Sequence, residues 1–573
     1  MQGRRRKRSR AKWVAAGTAL VVVVAGAAAG GFVISQQRQH AAAVKAERQA
    51  AGAFLQAWSR GDDRAQVAAV AAPPADLAAT LAGTRTRLGV TAAAYTLTGL
   101  RSGSHPSFSY HAAVTVAGLT TTPGVGAAAG QQETGPWQYD GSAALVQRGS
   151  RYLVAWAPEV LHPALHAGQQ LARVRTLGTR GQVLLADGRP VRGNDADLSA
   201  NLVGSVGPLT AAQATAAGSR FLAGDVAGQN GLERAYNDTL AGQPGGDIEI
   251  QDAKTGKRVQ VLSAYTPTNG TNVTLSLDLR TQQAGEAALA NLGKNSALVA
   301  IDTNTGQVKA LVNAPPAGVG RAANSYYPPG STFKTITLTA ALLAGKTPET
   351  PLNCTPTVTV DGRSFANAEA EAFGTISLRD AYARSCNTAF INLEQSLPAG
   401  AVQQAAELFG FNLKTDPLPI ASKGGSYPAT SGPVEAAAAA IGQAKVQASP
   451  LQMASVAAAV ASGTWRQPSV VTAPAPTGLV SHPLPAGVAP TVASLMRSVV
   501  TDGTGTAANN VPGGPVQGKT GTAEYGTADP PRTHAWFIGF QGATAFCVFV
   551  EDGGFGATTA APAAARFLTN LAG

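Results

Sequence analysis

Cysteine, aromatic residues and charge are all scarce in this chain of 573 residues. Its three cysteines, Cys354, Cys386 and Cys547, cannot pair completely within one chain, which excludes a fold resting on a disulfide framework and leaves packing to hold it together. Charged residues make up only 13% against 45% hydrophobic ones, with 65 glycines and 35 prolines, so extended disorder is excluded in favour of globular domains joined by frequent turns. A metal site finds little support: His162 and His166 stand four apart, but Pro163 separates them and no third ligand lies near. That stretch is better taken as a linker.

The formal net charge is +11, yet seven of the basic residues precede Trp13, as Arg4, Arg5, Arg6, Lys7, Arg8, Arg10 and Lys12. Charge so placed does not make a nucleic-acid surface, and no nucleic-acid partner is expected. It is followed by WVAAGTALVVVVAGAAAGGFVI, Trp13 to Ile34, which has no charged residue and can cross a hydrocarbon core of about 30 Å. A cleaved signal peptide is the alternative, since small residues crowd positions 25–31. With an uncleaved anchor, the basic residues stay cytoplasmic and everything from Ser35 onward lies outside the cell membrane.

Beyond the span, Phe54, Leu55 and Trp58 repeat at helical spacing until Gly61. Strand-like runs follow at 95–100, 107–116, 143–146 and 152–156. Between 159 and 270 short strands and helices alternate, closing with a hairpin, IEI and VQV around the turn DAKTG. After Thr271 the pattern becomes denser: a strand, a helix over 281–292, and two strands joined across DTNTG. Helices are expected over 434–444 and 451–461, and strands return in HAWFIGF and TAFCVFVE.

Three short motifs carry chemistry, and each occurs twice. A serine acyl transferase uses Ser-x-x-Lys, Ser-x-Asn and Lys-Thr-Gly. The set Ser9/Lys12, Ser199/Asn201 and Lys254-Thr255-Gly256 has the right order, but Ser9 and Lys12 precede the span while the others follow it. Those residues cannot meet. The second set is Ser331-Thr332-Phe333-Lys334, Ser385-Cys386-Asn387 and Lys519-Thr520-Gly521, all after residue 271. Ser331 follows YYPPG and opens an apolar helix, so Lys334 lies one turn on along the same face. Taken one at a time, Ser331 and Ser385 also suit helix caps, and Lys519 suits a strand edge.

In their local contexts, NSYYPPGSTFK, RSCNTAF, GKTGTAEY and HAWFIGF make residues 271–573 resemble the transpeptidase domain of penicillin-binding proteins, with AIDTNTGQVKAL and AAIGQAKVQASPLQMA in support. GLERAYNDTLAGQPGG resembles the end of the pedestal, or dimerisation, domain of the monofunctional class B branch. The module closing in WAPEVLHPAL resembles the NTF2-like domain of the penicillin-binding protein 2a subgroup. The resemblance implies a multidomain α+β chain: cytoplasmic tail 1–12, transmembrane helix 13–35, NTF2-like domain 44–158, pedestal 159–270, and a transpeptidase domain 271–573 whose central antiparallel sheet is flanked by helices as in serine β-lactamases. Departures are FG at 373–374 where relatives often have His-Gly, IGQAK in place of IGQG, and no Asp-Arg pair in TRGQVLLADGRP.

The implied activity is peptidoglycan D,D-transpeptidation, with no metal or organic cofactor, peptidoglycan stem peptides as substrate and β-lactams as inhibitors. Ser331 is then the nucleophile, Lys334 its base, Ser385 and Asn387 the relay and orienting groups, and Lys519 a nearby cation. Thr520, Gly521 and Thr522 would bind substrate, with the backbone N–H groups of Ser331 and Thr522 as oxyanion donors. Glu524, His534 and Trp536 lie in matching stretches but are expected to be structural. Other cell-wall synthesis proteins are compatible partners. Two other activities use similar residues. A class D β-lactamase shares STFK but is usually a small unanchored domain, and a β-lactam sensor needs a cytoplasmic output domain. A scaffold role with the catalytic site secondary also fits the stalk modules.

Overall fold

The computed structural model describes residues 11–119, 136–218, 220–316, 318–528 and 531–573, with side chains from Val33 onward. The basic tail before Ala11, Ser9 included, and the side chains of most of the apolar run lie outside the described residues. Among the described residues no helix is long and apolar enough to cross a membrane.

Two compact units emerge, and neither is one continuous stretch: the first takes residues up to Thr179 with 209–224 and 242–269, the second takes 180–208, 225–241 and 270–573. The expected pedestal stretch therefore contributes to both.

In the first unit, helix α1 (Ala11–Arg60) ends where Gly61 adopts a positive φ of 68°. Two short helices, α2 (Asp63–Ala68) and α3 (Leu77–Leu88), follow. An antiparallel sheet then runs in sequence order through β1 (Val90–Arg101), β2 (Ser107–Val116), β3 (Trp137–Arg148) and β4 (Arg151–Val154). Alternate residues of β2 and β3 are buried, including Phe108, Tyr110 and Trp137. They pack against Phe54 and Trp58 of α1, and Trp58 stacks on Tyr95 at 3.7 Å between centroids. Aromatic pairs of this kind add to area burial. His162 is buried against the Trp137 ring, and His166 pairs with Glu159, so the two histidines serve separate local contacts.

A second sheet places β5 (Gln169–Thr176) beside β6 (Gly245–Asp252), which pairs in turn with β7 (Arg258–Tyr265). The first Lys-Thr-Gly lies in the β6–β7 turn, where Asp252 Oδ1 accepts from the N–H groups of Lys254 and Thr255 and Gly256 takes φ 68°. It is a turn and nothing more.

The second unit is built on a five-stranded antiparallel sheet. Helix α4 (Leu279–Leu289) precedes the hairpin of β8 (Ser296–Asp302) and β9 (Val308–Ala314). Late in the chain come β10 (Gln517–Tyr525), β11 (Arg532–Gln541) and β12 (Thr544–Val550), giving the order β9-β8-β12-β11-β10. Strands far apart in the sequence thus meet at the centre of the sheet, β8 against β12. The sheet is buried on both faces. Leu298, Ala300, Phe546 and Val548 meet α4 and the C-terminal helix 560–572, whereas Val299, Ile301, Cys547 and Phe549 meet the helices between β9 and β10. Such strands carry continuous apolar runs rather than alternation, as TAFCVFV does.

Candidate active site

The nucleophile turn is shaped by its neighbours. Pro328 and Pro329 stop extended pairing, and Gly330 follows with φ 53° and donates its N–H to Gly442 O at 2.9 Å. A Cβ on Gly330 would stand 2.4 Å from Thr522 O, so only glycine lets this turn press against β10. A 3₁₀ turn, Gly330–Phe333, then leads into helix α5 (Lys334–Leu343), whose residues 334–341 are all buried. Ser331 makes no helix-capping bond, and its hydroxyl instead stands 3.1 Å from Lys334 Nζ.

Lys334 is fully buried. Its Nζ lies 2.6 Å from Ser385 O and 2.6 Å from Asn387 Oδ1, both of which can only accept. The Asn387 amide is oriented for this by donating its Nδ2 to Ala366 O at 3.1 Å. An uncharged amine has two N–H bonds and one lone pair. With both N–H bonds directed to these oxygens, the lone pair is left for the Ser331 hydroxyl.

Ser385 follows the short helix α6 (Leu378–Ala383) and its cap Arg384 in a left-handed conformation, φ 62°, a costly position for serine that places its carbonyl on Lys334. The cap of the next helix, α7 (Asn387–Gln395), is Cys386 rather than Ser385. Cys386 is disulfide-bonded to Cys354, so one pair does form, directly between the two motif residues, while Cys547 is free and buried. The odd cysteine count left that pairing invisible. Asn367 supports the same loop, donating to Thr355 O and Glu371 O and accepting from Thr388 N–H.

Lys519, also fully buried, donates to Ser385 Oγ at 2.9 Å and to Thr520 O at 2.9 Å. Ser385 Oγ therefore bridges the two amines, standing 3.3 Å from Lys334 Nζ. Burial pushes the Lys334 ammonium well below the ordinary lysine range, and the neighbouring Lys519 pushes it further. Burial lowers Lys519 to about 7. Among the described residues neither amine has a carboxylate partner, so no opposite charge offsets the cost of charging Lys334.

The remaining predicted residues lie on β10. Gly521 must be glycine, because a Cβ there would meet Thr332 Cγ2 at 2.8 Å and Pro329 O at 3.0 Å. Thr522 is half-buried and its Oγ1 accepts from Gly556 N–H at 3.2 Å. Accepting that bond leaves the hydroxyl proton free to be donated. The Thr520 side chain is buried and its hydroxyl is hydrogen-bonded to that of Thr504. His534 and Trp536 are buried in an aromatic cluster with Tyr327 and Phe549, whereas Glu524 is exposed.

The structure thus joins Ser331, Lys334, Ser385, Asn387 and Lys519 in one hydrogen-bonded cluster, with Gly521 and Thr522 against the nucleophile turn. Ser199 and Lys254 are not among them: Ser199 bonds Asp195 O, and Lys254 lies in the hairpin turn of the other unit. Sequence reasoning missed Asn367, Cys354 and Tyr382, whose hydroxyl is hydrogen-bonded to Thr335 beneath the lysines. No motif announces them.

Residues 296–569 match the family model described as the penicillin binding protein transpeptidase domain, and residues 182–275 match that of the penicillin-binding protein dimerisation domain. The chain is 33% identical over 379 residues to the peptidoglycan D,D-transpeptidase PbpA of Mycobacterium tuberculosis, covering 56% of this chain and 74% of that protein. Its fold is similar to the ceftriaxone acyl-enzyme complex of penicillin-binding protein A from M. tuberculosis, with TM-score 0.55 and 25% identity over 69% of this chain and 98% of the other. It is similar as well to the D,D-transpeptidase domain of a peptidoglycan glycosyltransferase from Eggerthella lenta, with TM-score 0.54 and 27% identity over 69% of this chain and 98% of that one.

Proposed function

This chain belongs to the class B penicillin-binding proteins, the serine D,D-transpeptidases of peptidoglycan synthesis, and on that premise we propose that Ser331 is its nucleophile and Lys334 the base. The reaction cross-links stem peptides. Ser331 Oγ attacks the carbonyl between the two terminal D-alanines while its proton passes to the lone pair of Lys334. Negative charge then develops on the former carbonyl oxygen, where the backbone N–H groups of Ser331 and Thr522 are the donors. Collapse breaks the peptide bond, and the departing D-alanine amine takes a proton through Ser385, which touches both lysines. An amine from a second stem attacks the ester and restores Ser331.

The carrying observation is the geometry of Lys334: two short contacts to pure acceptors and a third to the nucleophile. Lys519, when protonated, supplies the cation for the terminal carboxylate of the donor, and the free proton of Thr522 Oγ1 a hydrogen bond to it. Penicillins would be held at the ester stage, in line with the acyl-enzyme described for the M. tuberculosis relative.

The rest of the assignment is architectural. The run Trp13–Ile34 anchors the chain in the cell membrane with the tail 1–12 inside, a reading supported by its lack of charge and by a helix that continues unbroken from Ala11 to Arg60. Residues 44–158 form the NTF2-like domain and 159–270 the pedestal, and other cell-wall synthesis proteins are the natural partners of such stalks.

Labelled penicillin added to the full-length protein in detergent tests the central assignment. Wild type should be acylated and Ser331→Ala should not, with unchanged thermal unfolding. Label retained by folded Ser331→Ala would overturn it.

A further inference from the structure

Strand β10 is an edge strand: β11 covers one side and the other borders the nucleophile turn. Main-chain groups of a strand point to alternate sides, so along β10 the free edge receives those of Thr520, Thr522 and Glu524. The contacts agree. Thr520 O accepts from Lys519 Nζ, Thr522 O faces Gly330, and the third position is already filled. With its carboxamide oriented to satisfy both groups, Gln443 donates to Glu524 O at 3.2 Å and accepts from Glu524 N–H at 3.0 Å.

A carboxamide making both bonds does what a peptide unit of another strand would do. Its position is fixed from behind, because Gly442, φ 75°, accepts from Gly330 N–H and has no room for a Cβ, which would lie 2.1 Å from Gly330 O. One dipeptide, Gly442-Gln443, therefore ties the nucleophile turn to the strand edge. The Glu524 side chain is exposed and plays no part in this pairing.

We propose that Gln443 is a specificity-determining plug that ends strand pairing between β10 and the donor stem peptide after one residue. This rests on the acyl-transfer reading above. With the reacting carbonyl at Ser331 and the terminal carboxylate toward Lys519, the donor runs antiparallel to β10 and its upstream residues pass toward Glu524. The penultimate D-alanine pairs with Thr522. The residue before it lies opposite Ala523, whose main-chain groups point to the other side, and the next one upstream finds the donor and acceptor of Glu524 taken, so the upstream stem leaves the sheet and its side chains are free to vary in direction.

The test compares full-length wild type, Gln443→Ala and Gln443→Met on donors ending in D-Ala-D-Ala that carry either none or two further upstream residues. Wild type should gain little in KM from the added residues. In both variants the exposed Glu524 groups should lower KM for the longer donor by about fivefold for each main-chain bond gained, leaving kcat, the shorter donor and penicillin acylation unchanged. A KM change equal for both donors, or no change, would overturn the plug and make Gln443 a packing residue. Wild type that takes no label from penicillin would instead remove the catalytic reading beneath it.

Discussion

At the scale of single residues, two buried amines share one problem. Neither Lys334 nor Lys519 has a carboxylate beside it among the described residues, and charging both would place two like charges around Ser385. Lys334, whose two closest acceptors leave it a lone pair for Ser331 and which is lowered by burial and by the neighbouring Lys519, is the neutral one, and Lys519, lowered to about 7, carries the proton. The pH profile follows from the signs. Activity requires Lys334 without its proton, so it rises as pH passes the depressed value of that group. It requires Lys519 with its proton, so kcat/KM for a carboxylate-bearing donor should fall above about pH 7. For a donor whose terminal carboxylate is blocked as an amide, the upper limb should disappear. An upper limb present for both donors would show that Lys519 does not serve the carboxylate. Lys334→Arg gives a second test, because a guanidinium cannot lose its proton: acylation by labelled penicillin should drop by roughly 10²-fold or more.

At the scale of elements, the site depends on close approach between pieces distant in sequence. Gly330 sits where its absent side chain leaves space for Thr522 O, and it also takes a positive φ. Gly330→Ala should therefore separate the nucleophile turn from β10, reducing acylation by about 10²-fold through a misplaced oxyanion donor, as a penicillin time course would show. The Cys354–Cys386 bond ties strand 351–354 to the loop between α6 and α7. Replacing both cysteines with serine should lower stability by roughly 2–4 kcal/mol in a denaturant titration and slow acylation, because Ser385 and Asn387 flank the bond. Much of this level was legible beforehand. The hairpin β8–β9 was carried by DTNTG, whose Asp302 repeats the side-chain turn of Asp252 in DAKTG, and the meander β10–β12 by its apolar runs. What escaped notice had no periodic signal. The helix expected over 434–444 ends at Ala440, because Gly442 turns away to meet Gly330. Thr520 turned inward to Thr504, a partner that local sequence does not reveal.

For the whole molecule, the motifs picked out residues that the fold brings into one hydrogen-bonded cluster, but the division into units was not written in any of them. Composition along the chain suggested consecutive domains, whereas residues 180–208 and 225–241 belong with 270–573. They supply Leu198, Leu202, Val203, Leu232 and Leu240 to that core, and Asp197 accepts from the Asn313 main-chain N–H at 2.7 Å. A fragment beginning at residue 271 should consequently melt at least roughly 5 °C below the full-length protein, since several core partners are missing. Equal melting of the catalytic unit in both would contradict the shared core.

A three-stranded sheet in the same unit joins Val183 to Val273 and Leu275 to Val471, three points far apart along the polypeptide. During synthesis the earliest of these strands emerges long before the last. Residues around 183 wait unpaired until the stretch near 273 has emerged, and the free edge at Leu275 then waits for Val471. With the export proposed above, this sheet closes only late in translocation, which ties maturation of the enzyme to that late stage.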